Sequence, residues 1–220
     1  MMKSIALLPR RADFTRAQFK AYYETCHAPL ALSYFPFARY VRNHLLDEEE
    51  IGFDTLAEFW NEDIGRMASL LQTEIGAIFR ADEQRFMSRE RLTTGGSTET
   101  LLAGPPRPIE TAPRLKYAWL LCRTPDADPA QFAASVAEWG RTVAADSACE
   151  RATLDVITPW PGPEFPFQAV LWFWMREGRP PLEAPRPAMV ARWRAVTVLA
   201  HESPPDVMAA AFRARAAGTA

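Results

Sequence analysis

The residues best suited to chemistry in this chain are few and lie in its first 60 positions. His27 sits in Tyr22-Tyr23-Glu24-Thr25-Cys26-His27-Ala28-Pro29-Leu30. Pro29 has no N–H to give to the carbonyl of Thr25, so the helix must be disturbed beside the histidine. A histidine at a broken helix end is more accessible than one in mid-helix. An imidazole can move a proton in either direction. The plainer alternative is a surface or capping histidine. Cys26 and His27 do not make a nucleophile–base pair, because helical neighbours point about 100° apart.

A second group lies on two β-rich runs. Along Tyr40-Val41-Arg42-Asn43-His44-Leu45, strand alternation puts Tyr40, Arg42 and His44 on one face. Along Phe53 to Trp60 it puts Asp54, Leu56, Glu58 and Trp60 on one face, and Phe53, Thr55, Ala57 and Phe59 on the other, which suits packing under helices. One face of this hairpin is therefore expected to collect Tyr, Arg, His, Asp, Glu and Trp. Buried charges need partners, and a barrel interior holding a polar cavity would supply them. The alternative is a solvated face with ordinary cross-strand pairs. His201 near the last strand is a weaker candidate.

Other chemistries find no support. There is no GxxxxGK[ST] loop and no GxSxG elbow. Gly95-Gly96 reads as a turn before a strand. Three cysteines (Cys26, Cys122, Cys149) without CxxC spacing argue against a disulfide framework and a zinc site, and no metal is expected. A reducing, cytoplasmic setting is the default. Charge is nearly balanced at −2 over 220 residues, with no basic stripe for nucleic acid. No apolar run is long enough to span a membrane.

The elements that must position these residues fall into two similar series. Proline clusters after position 104, and Gly104-Pro105-Pro106-Arg107-Pro108-Ile109-Glu110-Thr111-Ala112-Pro113 reads as a stiff linker over 104–113. On its left, strand Ser4 to Leu8 precedes Thr15-Arg16-Ala17-Gln18-Phe19, a capping box. On its right, strand Tyr117 to Cys122 precedes Asp128-Pro129-Ala130-Gln131-Phe132, a cap with proline at the first helical position. The hairpins follow: Tyr40 to Leu46 with Phe53 to Trp60, and Ala152 to Thr158 with Phe167 to Trp174. A second helix spans about Ile64 to Phe86 on the left and shrinks to about Pro187 to Trp193 on the right. Closing strands are Ser97 to Ala103 and Ala195 to His201.

Strand–helix–strand–strand–helix–strand, twice, predicts an α+β chain of two ferredoxin-like units, at 1–103 and 114–205, with 206–220 a weak helix or tail. Each sheet has one bare face, so the two should close on one another into an intrachain pseudo-dimeric α/β barrel.

The left series resembles the EthD family of the dimeric α/β-barrel superfamily. The resemblance rests on Tyr23-Glu24, His27-Ala28-Pro29-Leu30, Tyr40-Val41-Arg42-Asn43-His44, Gly52-Phe53-Asp54, Ala57-Glu58-Phe59-Trp60 and Asp82-Glu83-Gln84-Arg85-Phe86, in that order over about residues 3 to 103. It implies a cytoplasmic, cofactor-free protein that dimerises through its sheets. Fungal relatives act as dehydratases or decarboxylases on aromatic polyketides, and related barrels isomerise lactones by proton transfer. In those, residues equivalent to His27 and Tyr40 line the pocket. The right series departs from the pattern: Gly140 falls at the His27 position, Gln168 at Asp54 and Trp172 at Glu58. It reads as a structural partner without a pocket of its own.

Three functions follow as expectations. The first is a cofactor-free lyase or isomerase acting on a small aromatic, polyketide-like or lactone substrate. His27 would be the general acid/base with Tyr40 and His44 as partners, Asp54 or Glu58 would orient an imidazole, and Arg42 would hold an anionic group. The second is a non-catalytic ligand-binding barrel using Trp60, Trp172 and Trp174. The third is a haem-binding monooxygenase-like barrel. A further homodimer is compatible with each.

Overall fold

The computed structural model describes residues 1–145, 148–182 and 184–218. Eight antiparallel strands form one closed barrel: β1 (Met2–Leu8), β2 (Arg39–Leu45), β3 (Thr55–Asn61), β4 (Thr93–Ala103), β5 (Arg114–Arg123), β6 (Cys149–Thr158), β7 (Ala169–Met175) and β8 (Val190–Glu202). Around the barrel they run β1-β3-β2-β8-β5-β7-β6-β4. Read from β4, the first four strands lie 4-1-3-2. Read from β8, the second four lie 8-5-7-6, which is the same order. The units join at two seams, β2 with β8 and β4 with β6. The expected pair of ferredoxin-like units closing into an α/β barrel is therefore present, and closure leaves no strand edge exposed.

The helices lie outside. In the first unit α1 (Arg16–Tyr22), a π-helical turn (Tyr23–His27) and α2 (Ala28–Tyr34) connect β1 to β2. Thr15 and Gln18 form the expected capping box, an arrangement worth about 1 kcal/mol. The second helical stretch divides into α3 (Ile64–Leu71) and α4 (Glu74–Phe86), both capped by side chains, Asp63 and Thr73.

In the second unit α5 (Pro129–Ala144) starts at Pro129 with Asp128 accepting from the amides of Ala130 and Gln131. The helix expected near Pro187 to Trp193 is not there. Between β7 and β8 the chain makes a 3-10 turn at Arg176–Gly178, and Val190 already begins β8. Pro180, Pro181, Pro185 and Pro187 remove the donors that a helix would need. The C-terminal segment is a helix, α6 (Pro205–Gly218), whose Met208 enters the core of the first unit. No helix among the described residues is long and apolar enough to cross a membrane.

Three apolar layers result. One lies under the helices of the first unit, one under α5, and one inside the barrel, where Leu56, Trp172, Trp174 and Val198 meet. The proline-rich segment before β5 is more than a spacer. Arg107 and Glu110 turn inward at one end of the barrel: Arg107 bonds Glu58, and Glu110 accepts from the indole of Trp174 at 2.7 Å.

The cross-strand register corrects the hairpin reading. Tyr40 pairs with Phe59, Arg42 with Ala57 and His44 with Thr55, whereas Val41 pairs with Glu58 and Arg39 with Trp60. Opposed residues point the same way. Tyr40, Arg42 and His44 therefore face outward to the helices, and Glu58 and Trp60 face into the barrel. Alternation was right along each strand, but it carries no information on how two strands are registered. Gly95-Gly96 is corrected as well: both glycines lie inside β4.

Candidate functional site

The break at Pro29 takes the form of a π turn. The amide of Ala28 donates to Tyr23 five residues back, and α2 resumes with Pro29 in its first turn. Such single-turn bulges occur often at functional sites. Here it carries Tyr23 and His27, both buried, toward the sheet. His27 Nδ1 lies 2.7 Å from Asp82 Oδ2, and Tyr22 donates to the other oxygen of Asp82 at 2.8 Å. Burial works to raise the Asp82 pKa, but the bonds from His27 and Tyr22 outweigh it and hold the carboxyl below its ordinary range. An ionised Asp82 keeps the proton on Nδ1. In the neutral ring that makes Nε2 the acceptor, and Nε2 has no hydrogen-bond partner among the described residues. Phe86, Phe79 and Tyr23 enclose the ring.

His27 opens onto a cavity of about 660 Å³ between the outer face of the first sheet and its helices. The floor is Ser4, Ala6 and Leu8 of β1 with Tyr40 and Phe59; Ile64, Met67 and Phe79 of the helices form the roof. The lining is mostly apolar, with a few convergent polar groups, the usual make-up of a small-molecule site. Tyr40 donates its hydroxyl to that of Tyr23 at 2.9 Å. Burial drives both phenol pKa values above the usual range, so both remain protonated donors at neutral pH. One wall comes from the second unit: Pro159, Trp160 and Pro161 of the β6–β7 connection.

The other expected site residues lie elsewhere. His44 and Arg42 turn to Glu24 on the π turn: His44 Nε2 is 2.7 Å from Glu24, and Arg42 makes a two-pronged bond to the same carboxylate at 2.8 and 2.9 Å. Arg42 also bonds Ser203, and His201 stands 3.7 Å from Glu24, so this group spans the β2–β8 seam. Although burial would raise it, Glu24 is held at about 2 by His44 and Arg42. His44 touches the edge of Tyr23 at 5.6 Å between ring centres, which places it behind the cavity wall. Asp54 sits at the barrel rim, clamped by Arg10 and Arg16.

Glu58 and Trp60 belong to a charged cluster inside the barrel. Glu58, fully buried, meets Lys3 at 2.9 Å and Lys116 and Arg107 at 3.1 Å. Glu58, Glu99 and Asp155 bring carboxylate oxygens within 4.8 Å of one another, a spacing that could hold a cation. The ammonium of Lys3 already stands among them, 2.6 Å from Asp155. Burial lowers Lys116 to about 8. These residues lie on the opposite side of the sheet from His27.

The structure thus brings His27 and Tyr40 to one cavity, and separates them from His44, Arg42, Asp54, Glu58 and Trp60. Sequence reasoning missed Asp82, Tyr23 and Trp160. A signal for Asp82 existed: Phe79, Asp82 and Phe86 form one buried stripe of α4, and a lone acid on an apolar stripe needs a partner.

A closed barrel built from two ferredoxin-like units, with a side cavity between sheet and helices, defines an α/β-barrel protein. The model of the EthD domain matches residues 11–90, so the first unit carries the EthD domain read from its motifs. None of the curated proteins compared with the chain matches it. Among solved structures, an anthrone oxidase-like protein superposes with a TM-score of 0.63 at 11% identity, covering 92% of both chains. A monooxygenase-like protein of Lactobacillus acidophilus NCFM gives 0.50 at 11% identity, covering 93% of this chain and 96% of its own. One of Fusobacterium nucleatum subsp. nucleatum ATCC 25586 gives 0.51 at 10%, covering 90% and 91%. At these identities the likeness is one of fold.

Proposed function

We propose that the protein is a proton-transfer enzyme, a lyase or isomerase, acting on a small, flat, partly aromatic or lactone substrate in the cavity beside His27. The observation that carries this reading is the His27–Asp82 pair opening onto an apolar cavity. In this scheme Nε2 of His27 takes a proton from an acidic C–H or O–H of the substrate. Asp82 stabilises the imidazolium that results. The hydroxyl of Tyr23, which accepts from Tyr40, donates to the oxygen on which negative charge develops, a stabilisation that is strongest in a site closed to water. The imidazolium then returns its proton to another substrate atom, which completes an isomerisation, or to a departing hydroxyl, which completes a dehydration. Arg42, His44 and Glu24 hold the π turn against the barrel from behind.

The test is deuterium exchange, in deuterated buffer without oxygen, at the acidic methylene of an anthrone and of enol-lactones. The wild-type protein should speed exchange, and His27→Ala should not. Equal rates for both proteins across the panel would refute the reading. The fold-level likeness to the anthrone oxidase-like protein favours a second reading, in which the deprotonated substrate meets dioxygen. Admitting air and following oxygen uptake separates the two. A haem-type reading would require a Soret band in the purified protein, and a purely ligand-binding role would show binding without exchange.

A further inference from the structure

We infer that Trp160, supplied by the second unit, is the stacking wall that selects flat polycyclic aromatic ligands for the cavity of the first; the inference rests on the functional reading above and narrows its substrate class. Of the chain's seven tryptophans, six are committed. Trp60, Trp172 and Trp174 lie under lysine or arginine cations, and Trp119, Trp139 and Trp193 pack on one another in tilted and edge-on contacts. Trp160 has no ring, cation or hydrogen-bond partner among the described residues. It stands half-buried on the wall of the cavity that His27 also lines. An indole that lines an apolar cavity without a ring partner of its own is a ready surface for an aromatic ligand, because offset stacking adds to simple area burial.

Two further features show that the position is built. Pro159, Pro161 and Pro163 flank the indole, and each fixes its own φ, so the tip of the β6–β7 connection is stiff. The strand beneath is cut away to receive it. A Cβ on Gly96 of β4 would fall 2.5 Å from Thr158 Oγ1 and 3.1 Å from the Trp160 ring. Gly95 makes the same allowance on the barrel side, where a Cβ would come within 2.7 Å of Ile157 and 3.2 Å of Phe165. The glycine pair therefore seats this connection from both sides, and Gly96 lets the indole reach the cavity. At about 660 Å³ the cavity exceeds the space of one ring and suits two or three fused rings.

The probe is 1,8-dihydroxyanthraquinone, a flat tricycle with no exchangeable C–H, titrated by calorimetry so that binding is read without turnover. Wild type should bind it, Trp160→Ala should bind about tenfold or more weakly, and Trp160→Phe should recover most of the loss. Gly96→Val, which pushes the indole off its seat, should weaken binding similarly. Phenol, one ring that the remaining walls can hold, should bind wild type and Trp160→Ala alike. Equal affinity of wild type and Trp160→Ala for the tricycle overturns the inference while leaving the proton-transfer reading intact. No binding of the tricycle by wild type overturns the inference and the polycyclic substrate class together. Binding with the expected Trp160 dependence, in a protein that catalyses no exchange, supports the wall and refutes only the chemistry.

Discussion

The two units share one strand order and differ in what lies between sheet and helix. On β1 the residues facing the helices are the small or slender Ser4, Ala6 and Leu8, which floor the cavity that Tyr23 and His27 of the π turn also line. On β5 the matching residues are Tyr117, Trp119 and Leu121, and Trp119 packs on Trp139 and Trp193 with ring centres 4.8 Å apart in each case. α5 then lies close on the sheet: a Cβ on Gly140, at the position matched to His27, would meet Leu102 at 2.5 Å and Leu171 at 2.7 Å. One architecture thus yields a hollow or a solid unit according to side-chain volume on one strand and one extra residue in a helical turn. The solid unit still serves the hollow one, by closing the barrel and lending its β6–β7 connection.

The largest effect that would break this comparison is in rate. His27→Ala should lower turnover by about 10²–10⁴-fold with the fold retained, checked by steady-state kinetics beside thermal denaturation. Asp82→Asn should fall short of that loss, since the imidazole survives without its anchor. Next is the barrel interior. Glu58→Ala leaves Lys3, Lys116 and Arg107 without a shared partner and should cost about 3–5 kcal/mol in urea unfolding, the usual result of breaking a buried ion cluster from one side. A loss below 1 kcal/mol would mean that water already screens the cluster. Smaller again is Gly140→Ala, expected to cost about 1–3 kcal/mol by overpacking and to leave catalysis unchanged. Ala6→Phe in the first unit should do the opposite, filling the cavity and abolishing probe binding at little cost in stability; calorimetry checks it.

The mildest effect is that of pH. Burial lowers the His201 pKa to about 4 and lowers that of His44 as well. The unfolded chain binds these protons more tightly, so stability falls as pH drops from the unfolded histidine value of about 6.5 towards 4. Glu24, held at about 2, adds a second loss below its unfolded value of about 4.3. Both act in the same direction, and melting temperatures measured from pH 7 to pH 3 should decline throughout. A flat profile between pH 6.5 and 4 would show that the seam histidines are solvated.

Much of the fold was legible locally. Thr15 with Gln18 and Asp128 with Pro129 mark helix starts, alternation marks strands, and their order recurs; all of this depends on contacts within a few residues. Pro29 likewise announced a helix disturbance beside His27, and the EthD motifs placed His27 and Tyr40 at one pocket. The choice of which hairpin residues meet was not legible. His27 and Asp82 are 55 residues apart, and Glu58 and Lys116 are 58 apart; such pairs form only once the barrel closes.

Sequence alone determined the types and order of most elements, the missing second helix of the right unit and the strand at Gly95-Gly96 being the exceptions, because propensity, capping and alternation act over one or two turns of chain. Tertiary structure decided three things: the register that sends Tyr40 outward and Glu58 inward, the inward turn of Arg107 and Glu110, and the arrival of Trp160 at the other unit's cavity. Each depends on strand pairing across a closed barrel, where a shift of one residue exchanges the faces and where the two seams bring together residues that no local rule connects.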